Sequence, residues 1–146
     1  MAELFGSSVY RYGTAAFVRA AMKSRQLKQG GARTYELVLE PGDEAVTCLN
    51  RFVCAQGLGA ARFTALGGFS EIVLGFFALD GDRYVSIPIQ EPLELSSLVG
   101  DVTVSNGEPK VHPRVVITRA DGSAWGGELL EAYVRPSLQV LLSEHL

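Results

Sequence analysis

At 146 residues, 47% of them hydrophobic and 20% charged, the chain has the length of one domain and the composition of a packed core, which excludes intrinsic disorder over most of it. A formal net charge of -3 excludes a protein held to DNA by bulk positive charge, because phosphate neutralisation needs an excess of Lys and Arg. No apolar run approaches the ~18 residues of a membrane-spanning helix, and Cys48 and Cys54 stand too far apart for a redox pair or a zinc pair, so reduced thiols in a cytoplasmic protein are expected.

In chain order, residues 1–31 read as an N-terminal arm and residues 32–146 as the compact domain. Met1-Ala2-Glu3-Leu4-Phe5 carries an early acid and no secretory apolar region. Gly6-Ser7-Ser8 and Gly30-Gly31 are loop signals, and Ala15 to Met22 is expected as a short helix between them. The cations Arg19, Lys23, Arg25, Lys28 and Arg33 occur here without an acid among them. A solvated arm explains them more simply than a nucleic-acid patch.

Thr34 to Glu40 alternates, with Tyr35, Leu37 and Leu39 on one face, and predicts a strand. Pro41-Gly42-Asp43 turns the chain, and Asp43 is the expected helix N-cap. From Glu44 to Gln56, Ala45, Leu49, Phe52 and Val53 recur at helical spacing, and Gly57 stands where a left-handed terminating residue is wanted. Strands are then predicted over Ala61–Gly67, Phe69–Leu79, Arg83–Ile89, Leu93–Val99, Val102–Ser105, Val111–Thr118 and Glu128–Val134, with Ser137–Leu142 a strand or a short helix. Asp80-Gly81-Asp82, Asn106-Gly107-Glu108-Pro109 and Ala120-Asp121-Gly122-Ser123 supply turns. Strands following one another after a single early helix predict an α+β domain: a central, largely antiparallel sheet with one long early helix packed on it. The helices a doubly wound fold needs are absent from the pattern.

Several ordered motifs resemble one family. They are Arg33-Thr34-Tyr35-Glu36-Leu37-Val38-Leu39, Pro41-Gly42-Asp43-Glu44, Gly59-Ala60-Ala61-Arg62-Phe63-Thr64-Ala65-Leu66-Gly67 and Leu98-Val99-Gly100-Asp101-Val102. They continue with Gly107-Glu108-Pro109-Lys110-Val111-His112, Asp121-Gly122-Ser123 and Gly126-Gly127-Glu128-Leu129-Leu130-Glu131-Ala132. From Arg33 to Ser143 the chain is similar to the PPC, or "plants and prokaryotes conserved", domain. The resemblance implies a homotrimer and a distant structural kinship with acetolactate decarboxylase. It also implies a domain that, in plants, follows an AT-hook and contacts transcription factors. This sequence has no Arg-Gly-Arg-Pro segment, so direct reading of the minor groove is not inherited.

The same resemblance implies a metal site built from His-x-His on one strand and a further His after Gly-Gly. The matching positions here are His112, Arg114 and Glu128. Residues i and i+2 of a strand share a face, and a neighbouring strand can supply a third ligand, a donor set that suits zinc. Arginine, however, is a permanent cation with no lone pair to donate. The expectation is therefore a degenerate metal site with no cofactor, in which Arg114 and Glu128 form an ion pair; partly exposed, unpaired strand residues and a surviving zinc site at His112 and Glu128 are the alternatives. Arg62, in its small-residue context, is a candidate for holding an anionic ligand in the cleft or for a plain structural salt bridge. Glu131, three residues after Glu128, is expected on the opposite face. Trp125 fits either a pocket mouth or a subunit seam, and His145 a solvated tail. Gly67-Gly68 and Gly126-Gly127 lack the strand–loop–helix setting of phosphate loops and are read as bends or close backbone approaches.

Two histidines, one near the end of the chain, leave few actors for acid–base catalysis. Two functional readings result. One is a DNA-associated regulatory or interaction module, homotrimeric, working through a transcription factor or other protein partner, with neither a membrane role nor direct DNA binding. The alternative is a small-ligand binder or enzyme using the cleft around His112, Arg114, Glu128 and Arg62, with Arg114 binding a carboxylate or phosphate.

Overall fold

The segment read as an arm supplies the first strand of the sheet. In the computed structural model, which describes residues 22–29, 31–78, 81 and 83–145, β1 spans Lys23–Gln29 and pairs antiparallel with β2, Ala32–Leu39. The sheet therefore begins well before Ala32. Periodicity could not reveal β1, because Leu27 is its one apolar residue. Its backbone completes the edge of β2, and Arg25 faces its register partner Glu36 across an ion pair of 2.8 Å. A polar, Lys-bearing strand of this kind also blunts a sheet edge against further pairing. The short helix expected over Ala15–Met22 lies outside the described residues except for Met22, which is buried; Leu79, Asp80 and Asp82 lie outside them too.

The remaining elements are α1 (Ala45–Gln56), β3 (Ala61–Ala78), β4 (Arg83–Ile89), β5 (Leu93–Ser105), β6 (Glu108–Thr118) and β7 (Ala124–Glu144). All described strand pairings are antiparallel, in the order β1-β2-β7-β6-β5-β3-β4, with a further β7–β3 pairing. That pairing closes β3, β5, β6 and β7 into a ring. The α+β class and the antiparallel sheet are as predicted.

The helix is not long. It has 12 residues and is stopped at both ends by local chemistry. Its N-cap is Glu44 rather than Asp43: the Glu44 carboxylate accepts from the backbone N–H groups of Val46 and Thr47 and reaches across to that of Ala132. Asp43 is one residue early. Its carboxylate turns back to accept from the Glu40 N–H at 2.9 Å, closing the Pro41-Gly42 turn, and burial pushes its pKa up. At the other end Gly57 adopts φ 63°. The face carrying Ala45, Cys48, Leu49, Phe52 and Val53 is buried against the sheet, where Phe52 meets Tyr35 edge-on with centroids 5.0 Å apart.

Segments predicted as separate strands are continuous. Ala61–Gly67 and Phe69–Leu79 merge into β3, Leu93–Val99 and Val102–Ser105 into β5, and Glu128–Val134 and Ser137–Leu142 into β7. At Gly67 the ladder shifts register and a side chain would strike the Ser137 carbonyl, so the glycine marks a close crossing inside one bent strand.

Phe52 is fully buried. Phe52→Ala is expected to destabilise the domain by about 3–5 kcal/mol, the range for an aromatic side chain deleted from a core. Equilibrium urea unfolding measures it; a loss below about 1 kcal/mol would show that α1 is not clamped through this ring.

Candidate functional site

The ring has an inner and an outer face, and strand periodicity assigns side chains to each. Ala61, Phe63, Val102, Val111 and Val115 are buried inward. Arg62, Thr64, Val99, Asp101, Thr103, His112 and Arg114 alternate with them and point outward. Register aligns the outward residues in rows. Thr64 pairs with Val99, Val99 with Arg114, and Arg114 with Glu128; Arg62 pairs with Asp101, and Asp101 with His112. An open groove of about 590 Å³ lies over these rows. All four sequence candidates, Arg62, His112, Arg114 and Glu128, line it, together with Val99, Gly100, Asp101 and Thr103.

Within the groove, Arg114 and Glu128 stand directly opposite one another, yet the expected ion pair does not form. The ion pairs among the described residues are Arg25–Glu36, Arg33–Glu144 and Arg119–Glu91. Glu128 instead accepts a 2.8 Å hydrogen bond from the Tyr84 hydroxyl. That hydroxyl sits where a side chain on residue 75 would lie, 2.0 Å from the Cβ position of Gly75, so the glycine opens the path from β4 to Glu128. An exposed arginine–carboxylate pair gains only about 0–1 kcal/mol, little enough for a well-aimed phenol to compete. Burial first, and then the Glu128 carboxylate, push the Tyr84 pKa up. His112 Nε2 lies 3.0 Å from Thr103 Oγ1.

These residues do not fit a metal. Among the described residues no three of His, Cys, Asp and Glu gather as a ligand set. Glu128 is engaged by Tyr84, and Arg114, at the second histidine position of the expected His-x-His pattern, carries a guanidinium.

Other candidates fall elsewhere. Glu131 lines a separate depression with Glu71 and Tyr133 and accepts from the Tyr133 hydroxyl at 2.8 Å. Trp125 lies under the Arg119 guanidinium, 5.4 Å from its centroid. His145 is exposed and anchored through its backbone N–H to the Ala60 carbonyl. Sequence reasoning missed Tyr84, Asp101 and Thr103. Period two along Leu98–Thr103 carried the signal for the last two; nothing local marked Tyr84, whose role depends on which strand β4 joins.

The profile of the Plants and Prokaryotes Conserved (PCC) domain matches residues 26–146. The chain belongs to this family. Among solved structures, a plant- and prokaryote-conserved (PPC) protein from Pyrococcus horikoshii is 30% identical, with TM-score 0.72 over 81% of this chain and 84% of that one. A metal-containing protein from Archaeoglobus fulgidus is also 30% identical, with TM-score 0.71 over 76% and 78%. The "putative dna binding protein" of Bacteroides thetaiotaomicron shares the fold at 24% identity and TM-score 0.76, over 84% of each chain. More distantly, a Staphylococcus aureus protein similar to alpha-acetolactate decarboxylase superposes at 13% identity and TM-score 0.56, over 75% of this chain and 51% of that one. No curated protein matches.

The Tyr84–Glu128 bond has a spectroscopic consequence. Glu128→Gln is expected to move the ionisation of one tyrosine to lower pH, part of the way towards its ordinary value, since the partial desolvation of the half-exposed ring remains. Phenolate absorbance across an alkaline titration, with Tyr84→Phe identifying the affected group, tests this; an unchanged curve in Glu128→Gln would contradict the bond.

Proposed function

We propose that this PCC-domain protein is a homotrimeric interaction module of the cytoplasm, associated with DNA through protein partners, whose ancestral metal site has been replaced by a charged groove. The observation that carries the reading is the outer face of the ring. Leu66 (69% exposed), Val99 (56%), Leu141 (48%) and Val116 (41%) all lie on it, on the contiguous strands β3, β5, β6 and β7. Large apolar side chains left exposed together on one face favour an interaction surface, and a head-to-tail contact between copies through such a face closes into a ring around a cyclic axis. The name of the Bacteroides relative supports the association with DNA. The charges argue for an indirect one: net charge is -3, and the basic residues Arg25 and Arg33 of the N-terminal hairpin are already bonded to Glu36 and Glu144. A second reading, a small-ligand site, is favoured by the convergence of Arg62, Asp101, His112, Arg114 and Glu128 on one groove.

Light scattering of the purified chain is expected to give three times the chain mass, and Leu66→Glu to shift it towards the monomer without loss of secondary structure. A monomeric parent protein would refute the assembly.

The chain purified without chelator is expected to hold no stoichiometric zinc. The double variant Arg114→His, Glu128→His, which restores imidazoles beside His112, is expected to bind about one zinc per chain. Elemental analysis decides both; stoichiometric zinc in the parent would overturn the replacement.

A further inference from the structure

We propose that the outer groove binds a small zwitterion, a molecule with one carboxylate and one amine separated by a short apolar spacer. The inference rests on the second reading above, that the groove is a ligand site, and names its ligand class.

The argument starts from charges placed together but left open. Arg62 stands opposite Asp101 in register, and Arg114 opposite Glu128. All four line the groove, yet neither opposing pair closes into an ion pair among the described residues. Exposed pairs gain little by closing, so holding these charges apart in water costs the fold little. The two guanidiniums and the two carboxylates cancel. A bare anion or a bare cation therefore gains little from the summed field, whereas a ligand carrying both signs meets its complement twice.

The neighbouring contacts narrow the pairing. Glu128 is engaged by Tyr84, and His112 by Thr103. Arg114 and Asp101 remain, one on β6 and the other on β5, as diagonal neighbours about 7–8 Å apart and somewhat closer at their Cβ atoms. Val99 pairs with Arg114 and lies one outward position from Asp101, so an apolar side chain occupies the corner between the two charges. A ligand whose carboxylate meets Arg114, whose amine meets Asp101 and whose methylenes rest on Val99 satisfies all three. Charges placed diagonally rather than side by side correspond to an amino acid with its amine several carbons from the carboxylate rather than to glycine.

Calorimetric titration of the full chain with 4-aminobutyrate, butyrate and butylamine at equal ionic strength tests the proposal. Saturable binding is expected for 4-aminobutyrate and not for the two singly charged analogues. Arg114→Gln and Asp101→Asn are each expected to weaken it about tenfold or more, while Glu71→Gln, in the separate depression, leaves it unchanged. Butyrate binding as tightly as 4-aminobutyrate, with Asp101→Asn unaffected, would overturn the zwitterion but keep the groove as a ligand site. Saturation by none of the three probes would overturn the zwitterion and the ligand-site reading together.

Discussion

The pairing of β3 with β7 is the constraint from which the rest of the molecule follows. The two long strands stay in partnership from Ala61 opposite Glu144 to Gly75 opposite Glu128, through three shifts of register. This contact turns an open sheet into a ring and so decides which side chains face the core. A slip of one residue would carry Phe63 and Leu142 to the outside and Arg62 to the inside. The shifts are placed where the backbone tolerates them, as at Gly67. At one end the ladder is tied down by Arg33, whose guanidinium meets the Glu144 carboxylate at 2.8 and 3.0 Å and the Gln56 carbonyl at 2.8 Å. One side chain thereby joins β2, β7 and the end of the helix. The same guanidinium holds the Glu144 carboxyl below the usual carboxylate range.

At the other end of the ladder, Glu128 stands between Gly75 of β3 and Arg114 of β6, and the groove lies over it. Its chemistry is that of charges left apart rather than of ligands brought together. The guanidinium at position 114 offers no lone pair and carries a fixed positive charge. Tyr84 then takes the carboxylate that could have neutralised it. This combination leaves the groove polar, on the same outer face that exposes Leu66, Val116 and Leu141. The proposed assembly and the proposed ligand site thus draw on one surface, with Val99 belonging to both.

Periodicity and turn chemistry made most of the fold legible. The alternation at Tyr35, Leu37 and Leu39, the helical spacing of Ala45, Leu49, Phe52 and Val53, and the stop at Gly57 are local signals that tertiary packing reinforces. The outward direction shared by His112 and Arg114 was legible for the same reason: i and i+2 of a strand leave on one side. The order of motifs identified the family, because glycines and polar residues at fixed offsets reflect turns and close approaches of the backbone.

What only the tertiary structure decided depends on contacts between residues distant in the chain. β1 carries no apolar alternation, so its place in the sheet was set by the open edge of β2. Helix capping passed from Asp43 to Glu44 because Glu44 reaches both the first turn and the Ala132 N–H, a partner 88 residues away. The fate of Glu128 depended on Tyr84, delivered by the β3–β4 hairpin through the space left at Gly75. Sequence determined which residues face outward, since that follows from strand geometry alone. It could not determine which of two competing donors a carboxylate takes, because their difference in energy is small and their positions are fixed by strands folded far apart in the chain.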